Sequence, residues 1–288
     1  MKFGVMFANA GPFGQPQHAE NLAKTAEACG FESLWTVEHV VVPAGYQSRY
    51  PYAESGRMPG PEEMPIPDPL IWLSYVAAAT TKIRLATGIV ILPQRHPIYL
   101  AKELATLDQL SGGRVTLGIG IGWLREEFQA LGVPFEERAA RAEEACAALR
   151  TLWKPGGAQP FDGKFFRWAP VHSNPKPVQS GGIPIVVGGH APAAARRAAR
   201  VGDGWFPVGV DFGAIAQGFA ELRRECERVG RDPGSIEVTT GFALTDLDTV
   251  KRARDLGVSR LVVAPPGFDP DGLRRGLERF ADEVIAKA

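Results

Sequence analysis

Two places in the sequence put groups able to move a proton or hold an anion where an apolar run gives way to a loop or a helix. Glu38 and His39 directly follow the β-favouring run 33–37. An acid and an imidazole at a strand's end can hold or relay a proton near neutral pH; a loop histidine bonded to a nearby carbonyl is the plainer alternative. The second place is Gly188, Gly189, His190 and Ala191, between an apolar run and a helical stretch that begins with Pro192. Free main-chain N–H groups at a helix start, reinforced by the helix dipole, suit a phosphate, although an ordinary strand-to-helix turn has the same composition. Arg196, Arg197 and Arg200 follow on that helix; they could favour an anion, but read first as a solvent-facing basic stripe.

A third stretch, RVTLGIGIGWLREEF from Arg114 to Phe128, alternates Val115, Leu117, Ile119 and Ile121 with small residues and then turns helical. Gly118, Gly120 and Gly122 strip the strand's end of side chains. Either something flat lies against the backbone there, or the glycines relieve crowding in a buried strand. Trp123 stands where a dinucleotide fingerprint needs its third glycine. Metal catalysis has little support, because the five histidines form no His-x-x-x-His pair and no carboxylate cluster has ligand spacing. No Gly-x-Ser-x-Gly elbow supports nucleophilic hydrolysis.

The elements that must position these groups follow from the pattern of apolar runs and their Gly and Pro punctuation. Strands are expected at 2–8, 31–37, 83–92, 115–121, 183–187, 204–208, 236–240 and 260–263. Helices are expected at about 17–29, 69–79, 97–110, 124–131, 136–153, 192–201, 212–229, 246–256 and 270–286. Ser111-Gly112-Gly113 reads as a left-handed helix stop. The charged residues Arg138, Arg141, Glu143 and Glu144 read as a solvated face, and Arg95 as an anchor for substrate or loop. Eight strand and helix pairs imply parallel strands joined by right-handed crossovers and closed into a (β/α)8 barrel of one domain, residues 1–288. In that fold chemistry sits at the C-terminal ends of the strands. An open doubly wound sheet is the rival, and the loop NAGPFGQPQ after the first strand offers it no nucleotide fingerprint. Two insertions, about 40–68 and 154–182, are expected over the C-terminal mouth; the second contains FDGKFFRW, with a hairpin signal at Asp162-Gly163.

Composition narrows the partners. The 32 Lys and Arg residues balance 32 Asp and Glu, so no nucleic acid or membrane partner is expected and any anion site is local. Cys29, Cys146 and Cys226 lack Cys-x-x-Cys spacing and read as free thiols in a reducing cytoplasm. The opening MKFGVMFANAGPFG has too short an apolar run for a secretory signal, and no run reaches membrane-spanning length.

Taken together, FESLWTVEH, IRLATGIVILPQRHPIYLAKELATLDQLSGGRVTLGIGIGWLREEF and IPIVVGGHAP followed by ARVGDGWFP resemble the bacterial luciferase-like flavin and deazaflavin oxidoreductases. The resemblance covers nearly the whole chain. It implies a TIM barrel, commonly a homodimer, with FMN or coenzyme F420 at the C-terminal mouth. YPYAESGR and PDPLIWLSYVAAATTKIRLATGI look most like the F420-dependent branch. Carried over by position, the resemblance puts Glu38 and His39 near the ring and matches Gly88-Ile89 to a bulge bearing a non-proline cis peptide behind it. It sets Ile91 at the ring's border, puts Ile121, Gly122 and Glu126 against the ring or its polyol chain, and gives Gly189, His190 and Ala191 to the cofactor phosphate.

Pro43 and Trp123 depart from the tryptophan and glutamate of members that oxidise sugar phosphates, which argues against that activity. His39 then remains as the group to move a proton, with Glu38 tuning it. The leading expectation is an F420-dependent oxidoreductase acting on a small organic substrate under the 40–68 loop. The alternative is an FMN-dependent monooxygenase using reduced flavin and oxygen; a flavin-binding protein without turnover is a third. Tyr46, Tyr50, Tyr52, Phe165, Phe166 and Trp168 point to an apolar or ring-bearing substrate, though packing accounts for such residues as readily.

Overall fold

A computed structural model describes residues 1–209, 211–242 and 245–288; parts of the segments after the strands expected to end at 208 and 240 lie outside these. Eight parallel strands close into a ring: β1 (Lys2–Val5), β2 (Ser33–Thr36), β3 (Arg84–Thr87), β5 (Val115–Gly120), β8 (Ile185–Gly188), β9 (Gly204–Phe206), β10 (Glu237–Thr240) and β11 (Arg260–Val263). Each pairs with its neighbour in parallel, and β11 closes on β1 with Lys2 opposite Arg260 and Val5 opposite Val263. The strand expected over 83–92 is divided. β3 stops at Thr87, and β4 (Val90–Ile91) resumes against β5 after the cis peptide Gly88–Ile89, at the position the resemblance implied.

The surrounding helices are α1 (Pro16–Ala28), α2 (Pro69–Ala79), α3 (Pro97–Ser111), α4 (Arg125–Ala130), α5 (Arg138–Trp153), α6 (Pro192–Val201), α7 (Phe212–Val229), α8 (Leu247–Asp255) and α9 (Pro270–Glu283). Their ends follow local chemistry. Pro69 and Pro192 open α2 and α6, Asp68 accepts the N–H groups of Leu70 and Ile71, and α3 stops at Gly112 with φ 67°. The main core lies between strands and helices, with a smaller cluster of Trp35, Ala86, Val186, Phe206 and Val262 inside the ring.

The glycines of β5 serve packing. A Cβ at Gly118 would stand 1.8 Å from the Thr87 carbonyl oxygen, and one at Gly120 would stand 2.6 Å from Ile89 Cδ1. At Gly122 the added atom would meet Phe128 at 2.6 Å and Ile91 at 2.8 Å. Relief of crowding, one of the two readings of this glycine run, is what these contacts show.

The expected hairpin forms from β6 (Gln159–Asp162) and β7 (Arg167–Val171), but its turn spans residues 163–166 and is held by a distant carboxylate. Glu144 accepts the N–H groups of Lys164, Phe165 and Phe166. The face of α5 expected to be solvated is therefore engaged: Arg138 and Arg141 donate to the carbonyls of Gly122 and Pro93, and Glu143 pairs with Arg197 and Arg200. Arg197 is buried, so the basic stripe expected on α6 does not face solvent as a whole.

Replacing Gly118 by alanine forces a methyl group into the Thr87 carbonyl and should cost about 3 kcal/mol or more. Alanine at Gly157, where an added Cβ meets nothing within 4 Å, should stay within about 0.5 kcal/mol of the parent. Urea midpoints of the two variants check this.

Candidate active site

β2 delivers Glu38 and His39 to the barrel mouth, where adjacent residues of an extended chain point to opposite sides. Glu38 is buried. One of its oxygens accepts the main-chain N–H of Ile91, and the other accepts two donors of Arg95, with Nε at 2.9 Å. Arg95 also reaches Asp68 Oδ2 at 2.6 Å. This chain ties β2 to β4 and to the starts of α2 and α3, so Arg95 is an anchor. Burial pushes the Glu38 carboxyl above its ordinary value, against the pull of Arg95 and the Ile91 N–H. Burial also opposes the Arg95 charge, yet Glu38 and Asp68 outweigh it and hold the guanidinium above its ordinary value. Glu38, expected to tune His39, is thus turned toward Arg95.

The carboxylate against His39 is Glu127. Its side chain is 0% exposed, and His39 Nδ1 lies 3.0 Å from its Oε2. Its Oε1 accepts the Val40 N–H at 2.7 Å and the Val41 N–H at 3.4 Å. His39 Nε2 has no hydrogen-bond partner among the described residues, and the ring meets Trp123 edge-on, 5.7 Å between centroids. The sequence held a signal for Glu127. Leu124, Glu127 and Phe128 share one face of the helical repeat and all are buried, and a carboxylate on an apolar face needs a partner.

From Trp123 a run of edge-to-face aromatic contacts crosses the mouth. Tyr46 and Tyr50 meet Trp123 at 5.4 and 5.2 Å, Tyr50 meets Tyr52 at 5.3 Å, and Tyr52 meets His190 at 5.2 Å. The 40–68 segment therefore bridges the residues that follow β5 and those that follow β8. Glu126 holds it there: Oε1 accepts the N–H groups of Gln47 and Ser48 at 2.7 and 3.1 Å, and Oε2 accepts the Ser48 hydroxyl at 2.6 Å. Glu126, expected near a ring or polyol chain, has its oxygens committed to this loop. Of the expected aromatic cover, the tyrosines take part, whereas Phe166 packs on His96 and Arg141, and Trp168 stacks on Phe161. Burial, with Tyr52 and Tyr46 nearby, pushes the Tyr50 phenol up to about 12, so it stays neutral near neutral pH.

The floor between these groups is hydrocarbon and bare backbone. Gly88, Ile89, Ile121 and Gly122 are partly exposed, and Ile91 is buried beneath them. Ile89 lies over β5 and β8, where a Cβ at Gly188 would stand 2.7 Å from Ile89 Cγ2. Glu38, Gly88, Gly122 and Gly189, remote in sequence, thus meet at one end of the barrel.

Across the mouth, Gly189 has φ 115° and donates its N–H to the Phe206 carbonyl at 3.0 Å, extending the ladder of β8. The expectation of a free N–H for phosphate at Gly189 is thereby corrected; those of His190 and Ala191 have no partner among the described residues. His190 Nδ1 is buried and likewise unpartnered. Orphaned polar groups at the start of α6 fit the phosphate end of a flavin or deazaflavin. Among the described residues, no group of three or more His, Cys, Asp or Glu is placed to hold a metal, and no helix is long and apolar enough to cross a membrane.

The model of the luciferase-like monooxygenase family matches residues 1–268. An uncharacterized protein of Mycobacterium tuberculosis is 36% identical over 275 residues, covering 92% of this chain and 94% of its own. An FMNH2-dependent dimethylsulfone monooxygenase of Pseudomonas fluorescens is 35% identical over 236 residues, 81% of this chain and 58% of its own. Among solved structures, an F420-dependent secondary alcohol dehydrogenase in complex with an F420-acetone adduct superposes with a TM-score of 0.80. It is 18% identical, over 100% of this chain and 99% of that one, a likeness of fold.

The Ser48 hydroxyl, with the N–H groups of Gln47 and Ser48, lowers the Glu126 carboxyl to about 2. A depressed carboxyl stabilises the docked loop fully above its ordinary value of 4.5, and that contribution fades as pH falls toward about 2. Glu126→Ala should remove it at every pH. Trypsin cleavage after Arg49 and Arg57 at neutral pH should then be faster than in the parent.

Proposed function

The chain belongs to the luciferase-like monooxygenase family, and from that premise we propose an F420-dependent oxidoreductase that exchanges hydride with a small organic substrate at the barrel mouth. The observation that carries the proposal is His39, whose Nδ1 is satisfied by Glu127 while Nε2 is left without a partner among the described residues. Removing hydride from a carbon that bears O–H or N–H requires somewhere for the proton to go, and Nε2 is that acceptor. When bound, the deazaflavin supplies the two-electron acceptor or donor.

The chain's own residues do the rest. Gly88, Ile89, Ile121 and Gly122 form the surface for the ring with Ile91 packed beneath them, and His190 with the Ala191 N–H holds the phosphate. Glu38 acts by fixing the Ile91 backbone and Arg95. Glu126 keeps the 40–68 loop down, which excludes water from the site. The tyrosines of that loop favour a neutral, apolar or ring-bearing substrate. Free thiols at Cys29, Cys146 and Cys226 accord with a reducing cytoplasm.

A second reading, an FMN-dependent monooxygenase, is favoured by the 35% identity to the P. fluorescens enzyme. Titrating the purified protein with F420 and with reduced FMN separates the two. Tighter binding of F420 is expected, and tighter binding of FMN overturns the first reading. With the cofactor that binds, His39→Asn should lower kcat about 100-fold while weakening cofactor binding far less.

We also propose that two copies pair through α2 and α3. Ile71, Tyr99 and Leu110 are 75%, 73% and 78% exposed on these neighbouring helices. Ile71 and Leu110 line a groove of about 350 Å³ that also carries Lys102 and Glu103. An apolar stripe with mixed charges suits a two-fold, self-complementary contact. Light scattering should find a dimer, and Ile71→Glu with Leu110→Glu should give a monomer of the same secondary structure.

A further inference from the structure

We propose that Glu127 is a positioning residue that locks His39 in the tautomer whose Nε2 accepts the proton. This deepens the reading of His39 given above and rests on it. Glu127 is sealed from solvent, and among the described residues the groups that reach it are two main-chain N–H groups and His39 Nδ1. A main-chain N–H can only donate, so Oε1 is an acceptor whatever the state of the ring. With Glu127 as a carboxylate both oxygens accept, and Nδ1 carries the hydrogen of the bond to Oε2. In the neutral imidazole that leaves Nε2 bare and able to accept; a protonated Oε2 would instead donate to Nδ1 and leave the ring hydrogen on Nε2.

The same carboxylate holds the backbone that follows the histidine. Val40 and Val41 open the 40–68 loop, and both donate to Oε1 while His39 donates to Oε2. Docking of the loop's first residues and alignment of the proton acceptor are thus properties of one side chain. The Trp123 ring, edge-on to His39, packs beside the imidazole and restricts its rotation.

Replacing the carboxylate by an amide changes what the ring can do. In Glu127→Gln the side chain would have one accepting oxygen, and the fixed Val40 N–H claims it. The amide NH2 then faces Nδ1, which can become an acceptor only by moving the ring hydrogen to Nε2. Glu127→Gln should therefore reverse the tautomer, and Glu127→Asp should keep it.

The test is 15N–1H NMR of histidine-labelled protein without cofactor, at a pH well above the ordinary imidazole range, with the His39 signals assigned from His39→Asn. The parent should show a protonated Nδ1 and a bare Nε2, E127D the same pattern, and E127Q the reverse. A parent spectrum with hydrogen on Nε2, or an E127Q spectrum like the parent's, overturns the proposal. Should E127Q fail to fold, the parent spectrum and E127D decide. With whichever cofactor supports turnover, E127Q should lower kcat about 100-fold with KM little changed and E127D restoring most of it. Failure of both cofactors to support turnover would defeat the assigned function and leave the tautomer result to stand or fall alone.

Discussion

Close packing of Ile89 against two neighbouring strands is the constraint that shapes the mouth. Its side chain fills the space that Cβ atoms at Gly120 and Gly188 would take, and the Thr87 carbonyl comes closer still to Gly118. Neighbouring segments of the barrel wall, β3 with β4, β5 and β8, are thereby brought within contact distance of one another. The floor is hydrocarbon and bare backbone, with His39 and His190 at its rim and Glu38 buried against the Ile91 backbone. Protein interiors transmit such contacts with little give, so the rim groups inherit their spacing from the strands below them.

Around that rim, neighbouring acids have been given different work. Glu126 and Glu127 are adjacent on α4; one accepts loop N–H groups and a serine hydroxyl near solvent, the other faces an imidazole out of solvent's reach. Glu38 and His39 divide in the same way, one turned to Arg95 and the other to the mouth. In each pair the local geometry of helix or strand sends consecutive side chains in different directions. Charge that would repel if gathered is thus distributed over partners that each satisfy it.

The alternation of strands and helices was legible because it depends on local periodicity and on Gly and Pro punctuation. Pro192 does open a helix, Gly112 does end one, and the interruption at Gly88–Ile89 falls where the resemblance implied. What escaped was pairing across long sequence separations. Nothing near Arg95 announces Glu38, nothing near Glu144 announces the turn at 163–166, and the ladder bond from Gly189 to Phe206 depends on strand register. Glu127 lies between these cases. Its place on an apolar helix face was visible, whereas its partner was not.

The 40–68 segment is gripped at Val40, Val41, Gln47 and Ser48 mainly through peptide N–H groups. Such a grip is indifferent to which amino acid supplies the N–H, proline excepted. The loop's side chains can therefore differ while this main-chain grip on the barrel is kept. What holds the segment down and what it presents to the mouth are in this way assigned to different atoms, backbone for the one and side chains for the other.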